Sequence, residues 1–185
     1  MSREQNREVE PQEQWYVMRA YKSEKKAEEL LSGDHGLTYF IPKRKAIFTS
    51  GGKKYVRQVP VIHSLIFVRA TQQEIVAFKK DIYNNLQFVT WKCNDKLLYL
   101  TVPDDQMNSF IEVCEQQDRE VTFHRPDEIQ LKKGEKVRVH GGAFNTMEGY
   151  FVKMAHKRSK QFVVIIPDIL AASIEVEPEY IEIIR

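Results

Sequence analysis

The chain has 185 residues, of which 42% are hydrophobic and 29% are charged, and its formal net charge is +2. This composition excludes a disordered chain. The longest apolar run, Phe162 to Ile166, is too short for a membrane span of roughly 20 residues, so we expect no membrane partner. Residues 1–14 lack the apolar core of a secretory signal, and we expect them to be a flexible tail on a cytoplasmic protein.

The first predicted domain, residues 15–117, begins with a strand and a helix. Residues 15–21 are aromatic and β-branched, and they are apolar at both odd and even positions, which predicts a strand covered on both faces. Ser23 predicts an N-cap and Gly33 stands where a helix would end. A short amphipathic helix should therefore follow the strand.

A long hairpin with a basic tip is predicted next. Two extended runs, residues 38–48 and 55–69, flank Gly51 and Gly52, and glycine readily adopts the positive φ of a tight turn. Residues 38–57 contain no acidic side chain, so this segment should attract polyanions. Its cations are Lys43, Arg44, Lys45, Lys53, Lys54 and Arg57.

Two further helices and a pair of strands complete this domain. Thr71 and Glu74 have the spacing of a capping box, which predicts the start of a second helix. Strands are expected at residues 86–91 and 96–102, and a third helix should begin after Pro103. A mostly antiparallel sheet with helices packed against it buries these apolar faces, so we predict an α/β sandwich within an α+β fold.

Residues 118–130 lose the apolar periodicity and are predicted to be a linker. The second predicted domain spans residues 131–185. If the residues from 121 onward also belong to it, the domain contains one additional strand. Its short β-branched segments predict a small β-barrel. The five expected strands are 137–140, 150–155, 161–166, 174–176 and 181–184.

No pattern in the chain points to catalysis. The five histidines lie far apart, and neither a phosphate-binding glycine loop nor a nucleophile elbow is present. We therefore expect a protein that is not an enzyme, with no cofactor, no catalytic residues and no metal site.

The most informative motif spans residues 134–152. Its valines would face a barrel interior and its glycines would turn the chain or allow strands to approach closely, although any small barrel needs similar residues. The pattern resembles the KOW motif, which implies an SH3-like β-barrel. The motif residues are Gly134, Val137, Val139, Gly141, Gly142, Phe144 and Gly149.

Four segments of the first domain are similar to the N-terminal (NGN) domain of the NusG family: Trp-Tyr-Val at 15–17, the Ser-Glu-Lys-Lys-Ala helix start at 23–27, Tyr-Phe-Ile-Pro-Lys-Arg-Lys at 39–45, and the run at 59–68. The Glu-Lys-Lys helix and the Phe-Ile-Pro-x-Arg-Lys strand end most resemble UpxY-type paralogues, antiterminators of polysaccharide gene clusters. The chain departs from the family at His63, Ser64 and Leu65, where proline, glycine or asparagine, and then tyrosine are usual.

The resemblance implies a transcription elongation and antitermination factor, a monomer, that acts at a polysaccharide biosynthesis operon. Its first domain would bind the clamp helices of RNA polymerase through Arg19, Ile62 and Leu65, and would suppress pausing. Ile62 and Leu65 could instead be core residues, and they reach one surface only if the strand bends at residues 63–64.

The resemblance also implies that the hairpin cations lie near DNA of the transcription bubble, with non-specific or weakly specific binding. An ordinary solvated loop is the alternative for these residues.

For the barrel, the family uses a loop with phenylalanine and arginine to recruit the Rho terminator or a ribosomal protein, and Asp168 and Leu170 stand at those positions. We expect weak Rho binding and an unknown protein partner that contacts Asp168 and an exposed Ile169–Leu170 pair. A ribosome-associated or free KOW-type RNA-binding protein is the rival hypothesis. It is disfavoured because residues 134–185 hold seven basic and seven acidic side chains.

Overall fold

A computed structural model describes residues 12–33, 37–116, 119–125, 128–129, 134–154 and 157–184. The chain divides into two compact units. The first unit extends to Ile41 and includes His63–Thr101, and the second comprises Pro42–Ile62 and the chain from Val102 onward. The hairpin and the third helix thus group with the C-terminal strands, whereas the sequence placed both in the first domain. The predicted folding domains, 15–117 and 131–185, stay a prediction.

In chain order the helices and strands are β1 (Gln14–Ala20), α1 (Glu24–Leu31), β2 (Thr38–Phe40), β3 (Lys43–Ser50), β4 (Lys53–Pro60), β5 (Leu65–Ala70), α2 (Gln72–Asp81), β6 (Leu86–Phe88), β7 (Thr90–Cys93), β8 (Lys96–Tyr99), β9 (Thr101–Val102), α3 (Asp104–Cys114), β10 (Thr122–His124), β11 (Glu135–Val139), β12 (Glu148–Lys153), β13 (Lys160–Ile166), β14 (Leu170–Ile174) and β15 (Ile181–Ile183). The fold is mixed α/β with mostly antiparallel sheets, as the sequence predicted. The longest helix described, α3, has 11 residues, and no helix in the described ranges is long and apolar enough to cross a membrane.

The first unit is built on an antiparallel sheet with the strand order β2-β5-β1-β6, and β9 also pairs with β1. Even-numbered residues of β1, such as Met18, face a core that includes Leu31 of α1 and Phe78 of α2. Odd-numbered residues face the opposite side of the sheet, where Val17 is also buried. Because side chains alternate along a strand, this burial confirms the prediction that β1 is covered on both faces.

The N-terminal ends of α1 and α2 are capped by the side chains that the sequence predicted. The Ser23 hydroxyl accepts from Lys26 N at the start of α1. Thr71 Oγ1 accepts from Glu74 N at 3.2 Å, and the Glu74 carboxylate accepts from Thr71 N at 2.8 Å, which is the predicted capping box. The pKa of the Glu74 carboxyl is held below its ordinary value first by the bond from Thr71 N and second by the Thr71 hydroxyl, which also donates to the carboxylate at 2.8 Å.

Strands β3 and β4 form a two-stranded hairpin in the second unit. Gly51 and Gly52 have φ values of +57° and +78°, so the glycine pair supplies the tight turn as predicted. The extended run predicted at 55–69 is broken, however, because β4 ends at Pro60 and β5 begins at Leu65. Ser64 adopts a positive φ of +64° in the intervening turn. The bend at residues 63–64, which Ile62 and Leu65 would need to reach one surface, is therefore present although the sequence predicted a continuous run.

The C-terminal strands form one antiparallel sheet with the order β10-β14-β13-β12-β11-β15. β10 and β15 lie at its two edges and are not paired with each other among the described strands, so closure into the predicted barrel is not seen. One predicted strand is misplaced: residues 174–176 were expected, and the strand runs over Leu170–Ile174. Helix α3 packs against β13 and β14, and the Gln106 amide donates to Ile165 O at 2.6 Å.

Candidate functional site

The hairpin β3–β4 has two faces of different chemistry, because directly paired residues project to the same side. We call the side that carries the Phe48–Tyr55 pair the aromatic face and the side that carries the Ile47–Val56 pair the aliphatic face. The aromatic face comprises Arg44, Ala46, Phe48, Ser50, Lys53, Tyr55, Arg57 and Val59, and the aliphatic face comprises Lys43, Lys45, Ile47, Thr49, Lys54, Val56, Gln58 and Pro60.

The predicted cations are distributed over both faces of this hairpin. Five of the six are exposed, and Lys43 at the base is half-buried. Large apolar side chains accompany them: Ile47 is 71% exposed, Val56 62% and Phe48 38%. An exposed strand pair that mixes cations with large apolar side chains is typical of a binding surface.

Aromatic contacts on the hairpin were missed by the sequence analysis. The rings of Phe48 and Tyr55 are stacked with centroids 5.7 Å apart, and the guanidinium carbon of Arg57 lies 4.8 Å from the Tyr55 ring centroid. The register set by the Gly51–Gly52 turn places residue 48 opposite residue 55. Counting outward from the predicted turn would therefore have found this pair.

Arg19, a predicted polymerase contact, supports the turn before β5. Its guanidinium Nη1 donates to His63 O at 2.9 Å. The carboxylate of Glu24 accepts from Ser64 N, and its Oε1 lies 3.1 Å from His63 Nδ1. The Glu24 side chain is only 16% exposed, so it is a fixed partner of this turn. Nothing in the local sequence around Glu24 indicates this long-range contact.

The proposed role of Leu65 needs correction. Leu65 pairs with Arg19 across β1 and β5 and is 0% exposed. A side chain with no accessible surface cannot contact another protein in this conformation, so Leu65 is a core residue here. Ile62 is half-buried and keeps accessible surface. The sequence could not separate the two because both are apolar and lie close to the same turn.

An open cavity of about 1150 Å³ lies within the second unit. It is lined by residues from separate predicted sites, namely Lys43 and Arg44 of the hairpin, Ile62, and the pair Ile169 and Leu170. Its wall also includes His124, whose pKa is lowered by burial and whose Nε2 lies 2.8 Å from Ser173 Oγ. Cys114 also lines the cavity, and burial raises the pKa of its thiol because the charged thiolate is disfavoured there. The thiol is therefore protonated.

The predicted barrel loop is only partly accessible. Asp168 is exposed with a φ of +59°, and Ile169 is half-buried. Leu170 is buried because it begins β14 and pairs with Ile166. The prediction that Ile169 and Leu170 are both exposed is therefore wrong for Leu170.

The motif residues at 134–149 lie in and around β11 and β12. The side chains of Val137, Val139 and Phe144 are buried. Gly141 and Gly142 have φ values of +83° and +66°, and Gly142 begins the short 3₁₀ helix Gly142–Phe144. Gly134 lies half-buried just before β11, and Gly149 on β12 is in close contact with β13.

The part of the chain that the structure describes contains no group of three His, Cys, Asp or Glu side chains placed to hold a metal ion. The distinctive surface in the described residues is the exposed hairpin, whose two strands carry cations together with exposed aromatic and aliphatic side chains. In the described residues this hairpin accompanies two larger antiparallel sheets in a mixed α/β fold.

Residues 13–111 match the family model described as transcription termination factor nusG. The match covers more than half of the 185 residues, and the chain belongs to the NusG family. Members of this family are transcription factors that act in elongation and termination, and they generally bind RNA polymerase. A search of curated proteins finds no match.

Proposed function

We propose that this protein is an antitermination factor of the UpxY type, which binds RNA polymerase and suppresses pausing or termination at a polysaccharide biosynthesis operon. The observation that carries the proposal is the NusG family match over residues 13–111, which contains the exposed cationic hairpin. The resemblance of the Glu-Lys-Lys helix and of the strand end at 40–45 to UpxY-type paralogues supports the specialised role.

In this proposal the clamp helices of RNA polymerase contact Ile62, and Arg19 supports the neighbouring turn through His63 O. Ile62 keeps accessible surface, whereas Leu65 is left out because it is buried. An apolar contact of this kind suits one face of an amphipathic helix.

The hairpin in this proposal lies near DNA of the transcription bubble. Its lysines and arginines, Lys53, Lys54 and Arg57 in particular, would attract phosphates without reading bases. The C-terminal sheet would be the KOW module, closing as a barrel and binding a protein partner through Asp168 and Ile169, with weak affinity for Rho.

A direct test is transcription in vitro by purified polymerase through an intrinsic terminator and through the leader of a polysaccharide operon. The expected result is increased read-through on the operon leader when the full chain is added. Unchanged read-through on both templates would contradict the antitermination proposal.

Co-purification with ribosomal subunits in place of polymerase subunits would support the rival RNA-binding function.

Replacing Lys53, Lys54 and Arg57 with glutamine should weaken binding to bubble DNA and flatten its salt dependence. Each phosphate that is no longer neutralised lowers the log–log slope by about 0.9 for duplex DNA, so three such phosphates would lower it by about 2.7. The measurement is a titration of labelled bubble DNA at several salt concentrations. The matched control replaces Lys22, Lys25 and Lys26, which removes the same charge elsewhere on the surface. Equal slopes for both variants would contradict DNA binding by the hairpin and would favour the alternative of an ordinary solvated loop.

Ile62→Asp should weaken polymerase binding by at least tenfold, because a carboxylate would be desolvated against an apolar helix surface. Binding of the full chain to purified core polymerase can be measured by anisotropy. Val56→Asp introduces the same charge at a more exposed site and should bind like the parent. If Ile62→Asp folds and binds as well as Val56→Asp, Ile62 is not part of the interface.

A further inference from the structure

We infer that the aromatic face of the hairpin is a stacking platform for single-stranded nucleic acid. The inference deepens the proposed function, on which it rests for its setting at the transcription bubble. It assigns base contacts to side chains that a purely phosphate-binding hairpin would not use.

The stacked pair is the centre of this platform. Phe48 and Tyr55 are direct cross-strand partners, with ring centroids 5.7 Å apart and an interplanar angle of 19°. Phe48 is 38% exposed even though it is a large apolar side chain. Every nucleic-acid base has a π face, and aromatic side chains that bind single strands stack on those faces with little sequence preference. The pair can therefore accept any unpaired base.

Two cations of β4 flank the Tyr55 ring. Lys53, Tyr55 and Arg57 project from the same face at every second position, and residues two apart on a strand are separated by about 7 Å. The Arg57 guanidinium carbon is 4.8 Å from the Tyr55 ring centroid, so this cation is held beside the stack. A nucleotide whose base stacks on the pair would have its flanking phosphates near Lys53 and Arg57.

The aliphatic face of the hairpin serves as the control that distinguishes base stacking from electrostatic attraction. The aliphatic face carries Lys43, Lys45 and Lys54, and the aromatic face carries Arg44, Lys53 and Arg57, so each face has three cations. Electrostatic attraction alone would not distinguish the two faces. Only the aromatic face offers π surfaces, and bases inside a duplex are already stacked on their neighbours. The geometry thus favours single strands over duplex.

The first experiment compares ligands and needs no variant. The full chain is titrated with oligothymidylate, with oligouridylate, and with an abasic strand of equal length and equal phosphate number. Because stacking of one base contributes on the order of a tenfold gain, oligothymidylate or oligouridylate should bind about tenfold tighter than the abasic strand. A gain for one polymer alone identifies DNA or RNA as the ligand, and a gain for both identifies any single strand. Equal affinity for all three strands overturns the inference.

The second experiment compares the two faces. Phe48→Thr with Tyr55→Thr removes the rings and keeps β-branched residues, and Ile47→Thr with Val56→Thr is the matched change on the aliphatic face. The aromatic-face variant should lose the tenfold advantage of base-containing strands while its salt slope stays at the parent value. The aliphatic-face variant should keep both. Equal losses in the two variants would overturn the inference.

Polymerase binding distinguishes failure of the stacking inference from failure of the proposed function. If the aromatic-face variant and the parent bind polymerase equally and neither prefers base-containing strands, the stacking inference alone is wrong. If the parent itself does not bind polymerase, the proposed function fails, and the strand titrations still decide whether the hairpin stacks bases.

Discussion

Gly149→Ala should destabilise the C-terminal sheet by about 3 kcal/mol, at the upper end of the usual cost of overpacking. A Cβ at this position would lie 2.6 Å from Phe162 Cε2 and 2.7 Å from Val163 O. Phe162 is fully buried and packs beside Phe144, with ring centroids 6.3 Å apart. Val163 O belongs to the backbone of β13, which pairs with β12, so neither neighbour can move without disturbing the packing around it.

Urea unfolding followed by far-ultraviolet circular dichroism measures this loss. Gly33→Ala is the control, because a Cβ there would meet no atom closer than 3.5 Å. The control should change the free energy of unfolding by less than about 0.5 kcal/mol. A parent-like midpoint for Gly149→Ala would show that β12 and β13 do not approach as closely as the structure indicates.

Phe110→Ala should lower the free energy of unfolding by about 3–5 kcal/mol, the usual cost of truncating a fully buried phenylalanine. Phe110 lies in α3 and is 0% exposed. Because α3 packs against β13 and β14, the loss should also appear in the C-terminal sheet. Amide exchange should therefore become faster in β13 as well as in α3.

Asn108→Ala is the control within the same helix, because Asn108 is exposed. It should leave exchange in β13 unchanged. If Phe110→Ala accelerates exchange in α3 and leaves β13 as protected as in the parent, the helix and the sheet are not one cooperative unit. The predicted boundary after residue 117 would then describe the folding units better than the division into the two compact units.

Several elements were predictable because their causes lie within a few residues. The capping box of Thr71 and Glu74, the N-cap at Ser23 and the positive φ of Gly51 and Gly52 depend on short-range hydrogen bonds and backbone freedom. Asn94 and Asp95 also adopt positive φ between β7 and β8, in the gap between the strands predicted at 86–91 and 96–102. The cationic character of the hairpin follows from composition alone.

The accessible surface was decided by interactions between distant parts of the chain. The break before β5 is held by the Glu24 carboxylate, which accepts from Ser64 N although the two residues are 40 positions apart. Whether Leu65 or Leu170 is buried depends on which strand lies beside it, and an apolar residue next to a turn has no local signal for this. Each proved to be inside the fold.

By itself the sequence determined the helices, the main turns, the basic segment and the family resemblance, because these depend on local preferences and on residue identity. The tertiary structure decided the strand order β2-β5-β1-β6, the packing of α3 on β13 and β14, and which predicted contact residues remain accessible. These features depend on long-range pairing, in which many apolar segments could substitute for one another and only simultaneous burial selects one arrangement.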